Sequence, residues 1–288
     1  RDRMQVYMEA QESAGKKDGS QIKIAMRILK DYAGEMVTLD QIDGDFCRGY
    51  ITYLLTEYHP KGKDISNYTL HNYYRALNGA LNSAVRKKKM KANPFNELEK
   101  SEKIRKPESM RSYMTIEEVQ ALIDTPMPHE EYEIVKCAYL FSCFCGLRIS
   151  DIIKLKWKDV FVDRGQYRLA VSMKKTKEPI YLPLSPEALK WMPERGGKSS
   201  EDNVFDLPSA NTIRMQLKPW AKAAGISKRF SYHTSRHTFA TMMLTLGADL
   251  YTVSKLLGHA DVKMTQVYAK IINKKKDEAV NLVNGLFH

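Results

Sequence analysis

The 288-residue sequence is short of cysteine, with only Cys47, Cys137, Cys143 and Cys145. None pairs with another as C-x-x-C, and no histidine stands at zinc-finger spacing from them. Three fall in the apolar stretch Cys137-Ala-Tyr-Leu-Phe-Ser-Cys-Phe-Cys145, which predicts buried, reduced thiols and a reducing, cytoplasmic setting rather than a disulfide framework. The sequence lacks an apolar run of the ~18–20 residues that span a bilayer, so no membrane association is expected. It also lacks a basic-then-apolar leader, which gives no sign of export. It begins at Arg1 rather than methionine and so reads as a piece of a longer chain. There is no G-x-x-x-x-G-K-[S/T], no G-x-G-x-x-G and no H-E-x-x-H, which argues against P-loop, dinucleotide and zincin chemistry. No dense group of carboxylates suits a two-metal nuclease or polymerase. No cofactor or metal is therefore expected, and no internal repeat or low-complexity tract is visible.

What is abundant is positive charge. Lysine and arginine total 46 against 34 aspartates and glutamates, a formal net charge of +12. That excess points to a polyanion, of which nucleic acid is the usual example. Residues 1–106 hold 20 basic and 14 acidic residues and residues 107–288 hold 26 and 20, so each part carries +6. The chain is not a neutral enzyme with a basic tail. At roughly 100–200 residues per domain the length suggests two domains.

The pattern predicts a mainly α chain with a small antiparallel β-sheet (α+β). Residues 1–96 read as a small four-helix domain, with helices over 20–36, 41–58 and 66–91 and a weaker one over 1–14. In 66–91, Leu70, Tyr73, Tyr74, Leu77, Leu81, Ala84 and Val85 recur at the i, i+3, i+4 rhythm. Asn93-Pro94 stops that helix. Away from its apolar face, Arg75, Asn78, Asn82, Arg86 and Lys89 form a second stripe, suited to meeting phosphates and base edges in a DNA groove. Residues 97–112 are charged and almost free of apolar side chains, as an interdomain linker would be.

A second domain is expected over 113–288. Thr115-Ile-Glu-Glu118 offers a capping box. Residues 131–145 are apolar almost all round, predicting a central helix closed by Gly146. Ser150 is a candidate cap for a short helix over 151–155. Alternation in Tyr167–Met173 and Ile180–Leu184 predicts two strands, with Lys174, Lys175 and Lys177 at the basic tip between them. Helices are expected near 209–224, 234–246, 250–257 and 262–272, then a tail helix within 273–288.

The residues suited to chemistry stand at element ends. Arg148 follows the buried helix in Gly146-Leu-Arg-Ile-Ser-Asp151. His233 and Arg236 are spaced i, i+3 and can face one point. His259 follows Gly258, and Tyr268 comes nine residues later in Thr265-Gln-Val-Tyr268. In order, these motifs (Gly-Leu-Arg-Ile-Ser-Asp, a lysine before a Leu-Pro-Leu strand end, His-Thr-Ser-Arg-His-Thr-Phe-Ala-Thr, Leu-Leu-Gly-His-Ala and Thr-Gln-Val-Tyr) resemble the tyrosine recombinases, which include phage integrases and the Xer and Cre recombinases. The match covers the second domain, and the first resembles the family's helical core-binding domain. The extra N-terminal arm-binding domain of many integrases is not visible.

The resemblance implies that Arg148 and Arg236 are the family's two catalytic arginines, that His233 completes the H-x-x-R pair, and that Asp151 supports the site. It also implies that His259 fills the family's His-or-Trp position and that Tyr268 is the nucleophile. In related integrases the lysine stands eight residues before the proline that ends the return strand, here Pro183, so the resemblance implies Lys175 as the catalytic lysine, with Lys174 and Lys177 as DNA contacts. Physical chemistry agrees. Two arginines can clamp the non-bridging oxygens of a phosphodiester in its transition state. Tyrosine must lose its proton, with His233 a plausible base, and the leaving deoxyribose oxygen needs an acid such as Lys175. A covalent phosphotyrosine conserves the bond energy, so neither ATP nor metal is required. The implied protein is a site-specific recombinase or integrase of a mobile element. It would act on double-stranded DNA, nucleoid-associated when bound, as a homotetramer at synapsis and a monomer or weak oligomer otherwise, with DNA-bending accessory proteins as further candidates. Two other readings remain, a type IB topoisomerase and a catalytically inactive DNA-binding regulator.

Overall fold

A computed structural model describes residues 19–34, 36–107, 111–172 and 179–268. It divides into two compact units, Arg1–Ser109 and Met110–His288. The architecture is mainly helical with one three-stranded antiparallel sheet. Among the described residues no helix is long and apolar enough to cross a membrane.

The first unit packs α1 (Gly19–Ala33), α2 (Gly44–Thr56) and α3 (Asn67–Arg86). Asp43 caps α2 by accepting from the Phe46 amide, and Ser66 caps α3 by accepting from that of Thr69. The apolar stripes meet in a core of Ile28, Leu29, Tyr50, Leu54, Leu70, Tyr74, Leu77 and Leu81. The fourth helix expected over 1–14 lies outside the described residues.

Two features of this unit differ from the sequence expectation. First, α3 ends at Arg86 rather than running to 91. The Lys88 amide donates to Val85 O and that of Lys89 to Ala84 O, both at 2.9 Å, while Lys88 adopts φ 57. This left-handed closure turns the chain off the helix, so Lys89 does not share a face with Arg75, Asn78, Asn82 and Arg86. Second, much of the segment expected as a linker belongs to this unit. Leu98 and Ile104, the two aliphatic side chains of 97–107, are buried in its core. His71 Nδ1 bonds Ile104 O at 2.8 Å, and Arg48 donates to Glu102 at 2.8 Å.

In the second unit, Thr115 and Glu118 form the expected capping box on α4 (Ile116–Asp124). The central helix is α5 (Glu133–Cys145). Its Val135, Tyr139, Leu140 and Cys143 face a cluster with Leu217 and Trp220 of α8 (Ala210–Ala223). Its Ala138, Phe141 and Cys145 face a second cluster with Leu169, Leu182 and Phe205. Two cores on opposite sides leave α5 no need for a polar face. Around it stand α6 (Ile149–Ile152), α7 (Pro186–Leu189), α9 (Tyr232–Thr245) and α10 (Leu250–Leu256). The four cysteines are unpaired; Cys47, Cys143 and Cys145 are buried and Cys137 is partly so.

The sheet runs β1 (Val160–Asp163), β2 (Gln166–Ser172), β3 (Pro179–Pro183). β1 was not anticipated. Arg164 (φ 51) and Gly165 (φ 78) turn it back onto β2, with Asp163 opposite Gln166; two successive positive φ angles make a tight hairpin turn. The β2–β3 pairing runs out to Ser172 opposite Pro179, and Lys174, Lys175 and Lys177 between them lie outside the described residues. The short helix after α5 starts at Ile149 with Arg148 at its N-cap, not at 151 under a Ser150 cap, because the Arg148 carbonyl already accepts from the Asp151 and Ile152 amides. Instead of a helix over 262–272 the chain makes a short 3-10 turn at Val262–Met264; residues 269–288, including the tail helix expected in 273–288, fall outside the description.

Candidate active site

Three separate stretches of the second unit carry Arg148 with Asp151, His233 with Arg236, and His259 with Tyr268, while Lys175 lies outside the described residues. α5 stops at Gly146, whose φ of 73 suits a left-handed helix end. A Cβ here would lie 2.6 Å from Phe239 Cδ1, so α9 approaches closely only because the residue is glycine. Two residues later Arg148 heads α6. Its Nη1 stands 3.9 Å from Asp151 Oδ2, and the Asp151 side chain is only 11% exposed. Ser150 Oγ donates to the other Asp151 oxygen at 3.2 Å.

α9 supplies the second stretch. Its first half is buried despite a polar sequence, including Thr234, Ser235, Arg236, His237 and Thr238. The Arg236 guanidinium donates through Nη1 to Gly146 O at 2.7 Å and through Nη2 to Leu257 O. Its fork therefore ties the end of α5 to the end of α10. Burial, then the nearby Arg148 cation, lowers the Arg236 pKa to about 10. Such a cation remains charged at neutral pH and favours an anionic neighbour.

The third stretch carries His259 and Tyr268. His259 Nδ1 pairs with the buried Thr265 hydroxyl at 2.7 Å. Its pKa is lowered to about 4, by burial first and then by Arg236, Arg148 and Arg111. His233, exposed at the start of α9, has its pKa lowered by partial burial, Arg236, Arg111 and Arg148 in that order. Tyr268 is 2% exposed. Burial raises its pKa, while Arg111 and Arg236 act the other way. Arg148, His233, Arg236, His259 and Tyr268 thus share one electrostatic environment. Among the described residues no three His, Cys, Asp or Glu side chains cluster as metal ligands would.

Two members of the group went unrecognised in the sequence. His237 Nδ1 is hydrogen-bonded to the Tyr268 hydroxyl, and its ring meets that of His233 edge-on with centroids 4.5 Å apart. The signal was the i, i+4 spacing of His233 and His237, which puts both on one helix face. Arg111 donates to Tyr268 Oη at 3.4 Å, with its guanidinium carbon 5.8 Å from the ring centroid. It stood in the charged run assigned as linker, where nothing distinguished it. His233, expected as the proton acceptor, is not among the described residues bonded to the Tyr268 hydroxyl; His237 and Arg111 are.

On α3, Arg75, Asn82 and Arg86 are exposed and Asn78 partly so. The asparagines have an internal task. Asn93 Nδ2 donates to the side-chain oxygens of Asn78 and Asn82, each at 2.7 Å, and Asn93 Oδ1 accepts from the Phe95 amide at 3.0 Å. The pair anchors the turn after the helix.

The chain belongs to the phage integrase family: the phage integrase family model matches residues 112–275, and that of the phage integrase SAM-like domain matches residues 2–106. Within it, this is a site-specific tyrosine recombinase, an enzyme that breaks and rejoins DNA. A tyrosine recombinase of Pseudothermotoga lettingae is 29% identical over 242 residues, 76% of this chain and 82% of the relative. The tyrosine recombinase XerD of Vibrio vulnificus is 32% identical over 184 residues, 59% of each chain. Among solved structures, the Tn1549 transposon integrase in complex with transposon right end DNA superimposes with a TM-score of 0.76 at 16% identity, over 98% of this chain and 99% of the other. The XerH site-specific recombinase in its post-cleavage complex gives 0.70 at 16% identity, over 96% and 94%. At such identities the likeness is one of fold.

Proposed function

We propose that this chain cuts double-stranded DNA by attack of Tyr268 on a phosphodiester, leaving a 3′-phosphotyrosine and a free 5′-hydroxyl, and that a 5′-hydroxyl from another strand then reverses the bond. The observation that carries this is the buried Tyr268 hydroxyl, bonded to His237 and Arg111 and lying in the field of Arg236, which itself shares one electrostatic environment with Arg148, His233 and His259. Arg148 and Arg236 hold the non-bridging oxygens, with Asp151 steadying Arg148. His259, fixed through Nδ1 by Thr265, offers its other nitrogen to the phosphate, as does His233. Lys175 protonates the leaving oxygen, with Lys174 and Lys177 on the neighbouring backbone. Arg75, Asn78, Asn82, Arg86 and Lys89 contact the duplex from the first unit, and the second unit, Met110–His288, is the catalytic domain. The setting is a mobile element acting in the cytoplasm, with four protomers at synapsis.

Incubation with a nicked suicide DNA site is expected to leave a denaturant-stable protein–DNA adduct, absent for Tyr268→Phe; an adduct with that variant removes Tyr268 as nucleophile. A type IB topoisomerase would share this chemistry, so plasmid relaxation is compared with two-site recombination. Relaxation alone would favour the topoisomerase.

A further inference from the structure

The attacking tyrosine needs a group to take its proton, and the H-x-x-R histidine, His233, is the obvious candidate from sequence. The geometry points elsewhere: we propose that His237 Nδ1 is the base that receives the Tyr268 phenolic proton, which makes His237 a catalytic residue of the cleavage step. This rests on Tyr268 being the nucleophile.

The hydrogen-bond inventory at the hydroxyl fixes the direction of the bond. A phenol has one proton to give and can accept on its oxygen. Arg111 can only donate, and it does so to Tyr268 Oη at 3.4 Å. The remaining described partner is His237 Nδ1. If that nitrogen carried the proton, Oη would accept twice and its own hydrogen would be left without a described partner in a side chain 2% exposed, an arrangement that burial penalises. The satisfied arrangement has Tyr268 donating to Nδ1, with the imidazole proton on Nε2. The acceptor lone pair is thus already on the proton that must leave.

The surroundings keep this base idle until substrate arrives. His237 is held neutral, its pKa lowered to about 3 by burial and then by His233, Arg111, Arg236 and His259. Tyr268 is raised by its own burial. At rest the proton stays on oxygen. A phosphodiester drawn in by Arg148 and Arg236 brings a negative charge that offsets those cations and strengthens the imidazole as a base. In the step itself the Tyr268 Oη–phosphorus bond forms, the bond from phosphorus to the 5′ oxygen breaks, the phenolic proton passes to His237 Nδ1, and the 5′ oxygen takes a proton from Lys175. Religation returns both protons, so the cycle balances without a co-reactant.

The test measures single-turnover adduct formation by the full chain on suicide DNA, with DNA binding followed by gel shift. His237→Asn keeps an acceptor near the Nδ1 position but cannot take a proton. It is expected to form adduct about 100-fold more slowly while binding DNA as before. Replacing Tyr268 by 3,5-difluorotyrosine, a more acidic phenol, is expected to restore most of that loss. The same replacement is expected to leave His233→Asn unrestored. A wild-type rate in His237→Asn overturns the assignment. So does a loss that the acidic phenol fails to restore, which would make His237 a positioning residue only. Restoration of His233→Asn in place of His237→Asn moves the base to His233. If His237→Asn does not fold, His237→Ala, which also removes the base, carries the same comparison with the acidic phenol. No adduct from the wild type, or an adduct from Tyr268→Phe, strikes the nucleophile itself and is distinguishable from every outcome above.

Discussion

Arg236 commits two of its donors to protein, apart from the phosphate role proposed for it. Its bonds to the Gly146 and Leu257 carbonyls set the plane of the guanidinium, so the N–H groups not used there approach a substrate in a fixed orientation. Lysine carries a point charge without that fork. Arg236→Lys is expected to lower adduct formation by at least about 100-fold. It is also expected to lower the thermal midpoint, because a buried carbonyl left unpaired costs about 1–3 kcal/mol. Melting curves beside suicide-substrate kinetics check both; an unchanged midpoint would mean the carbonyls find other partners. At this scale the sequence spoke clearly where residue type is tied to chemistry. Arg148, His233, Arg236, His259 and Tyr268 were legible as an ordered set. His237 and Arg111 were not, because one looks like a helix histidine and the other like one more cation in a basic run; only their approach to Tyr268 sets them apart.

Among the elements, α5 was readable almost to the residue, since a run apolar on every side has one use, a helix between two cores. The β2–β3 hairpin was readable from strict alternation. β1 was not, because four residues give too little alternation and its turn uses Arg164 where asparagine or glycine is usual. The end of α3 is hidden in the sequence for a related reason. Its closing residue is Lys88 at φ 57, a conformation that normally announces itself as glycine. Lys88→Gly is therefore expected to stabilise the first unit by about 0.5–1 kcal/mol, read as a higher midpoint in urea. A lower midpoint would show that the Lys88 side chain contributes more than its backbone strain costs.

For the molecule as a whole, the +12 charge is spread over two units, but its consequences differ between them. The second unit concentrates cations beside imidazoles it must keep neutral. His237 and His259 have pKa values lowered to about 3 and about 4, against an ordinary 6.5. Below pH 6.5 the unfolded chain takes up protons that the folded chain refuses, so stability falls as pH falls from there toward 4. Thermal midpoints measured from pH 8 to pH 5 are expected to hold steady above about 7 and then decline. A flat profile would mean the imidazoles protonate in place.

The anchoring of the segment just before α4 bears on how the protein can be divided. The Met114 amide donates to the buried Thr238 hydroxyl at 2.9 Å, and Lys228 Nζ bonds Tyr113 O at 2.7 Å, so Arg111 hangs two residues upstream of a fixed point. The composition shift suggested cutting at 113. A fragment starting there would keep every residue that the motifs single out in the second domain and still lack a side chain that touches Tyr268. Fragments 111–288 and 113–288 should therefore melt alike yet differ in how fast they become linked to DNA, the longer one reacting faster. Where a cut falls, by two residues, decides whether an isolated piece reports the enzyme or an impaired relative of it.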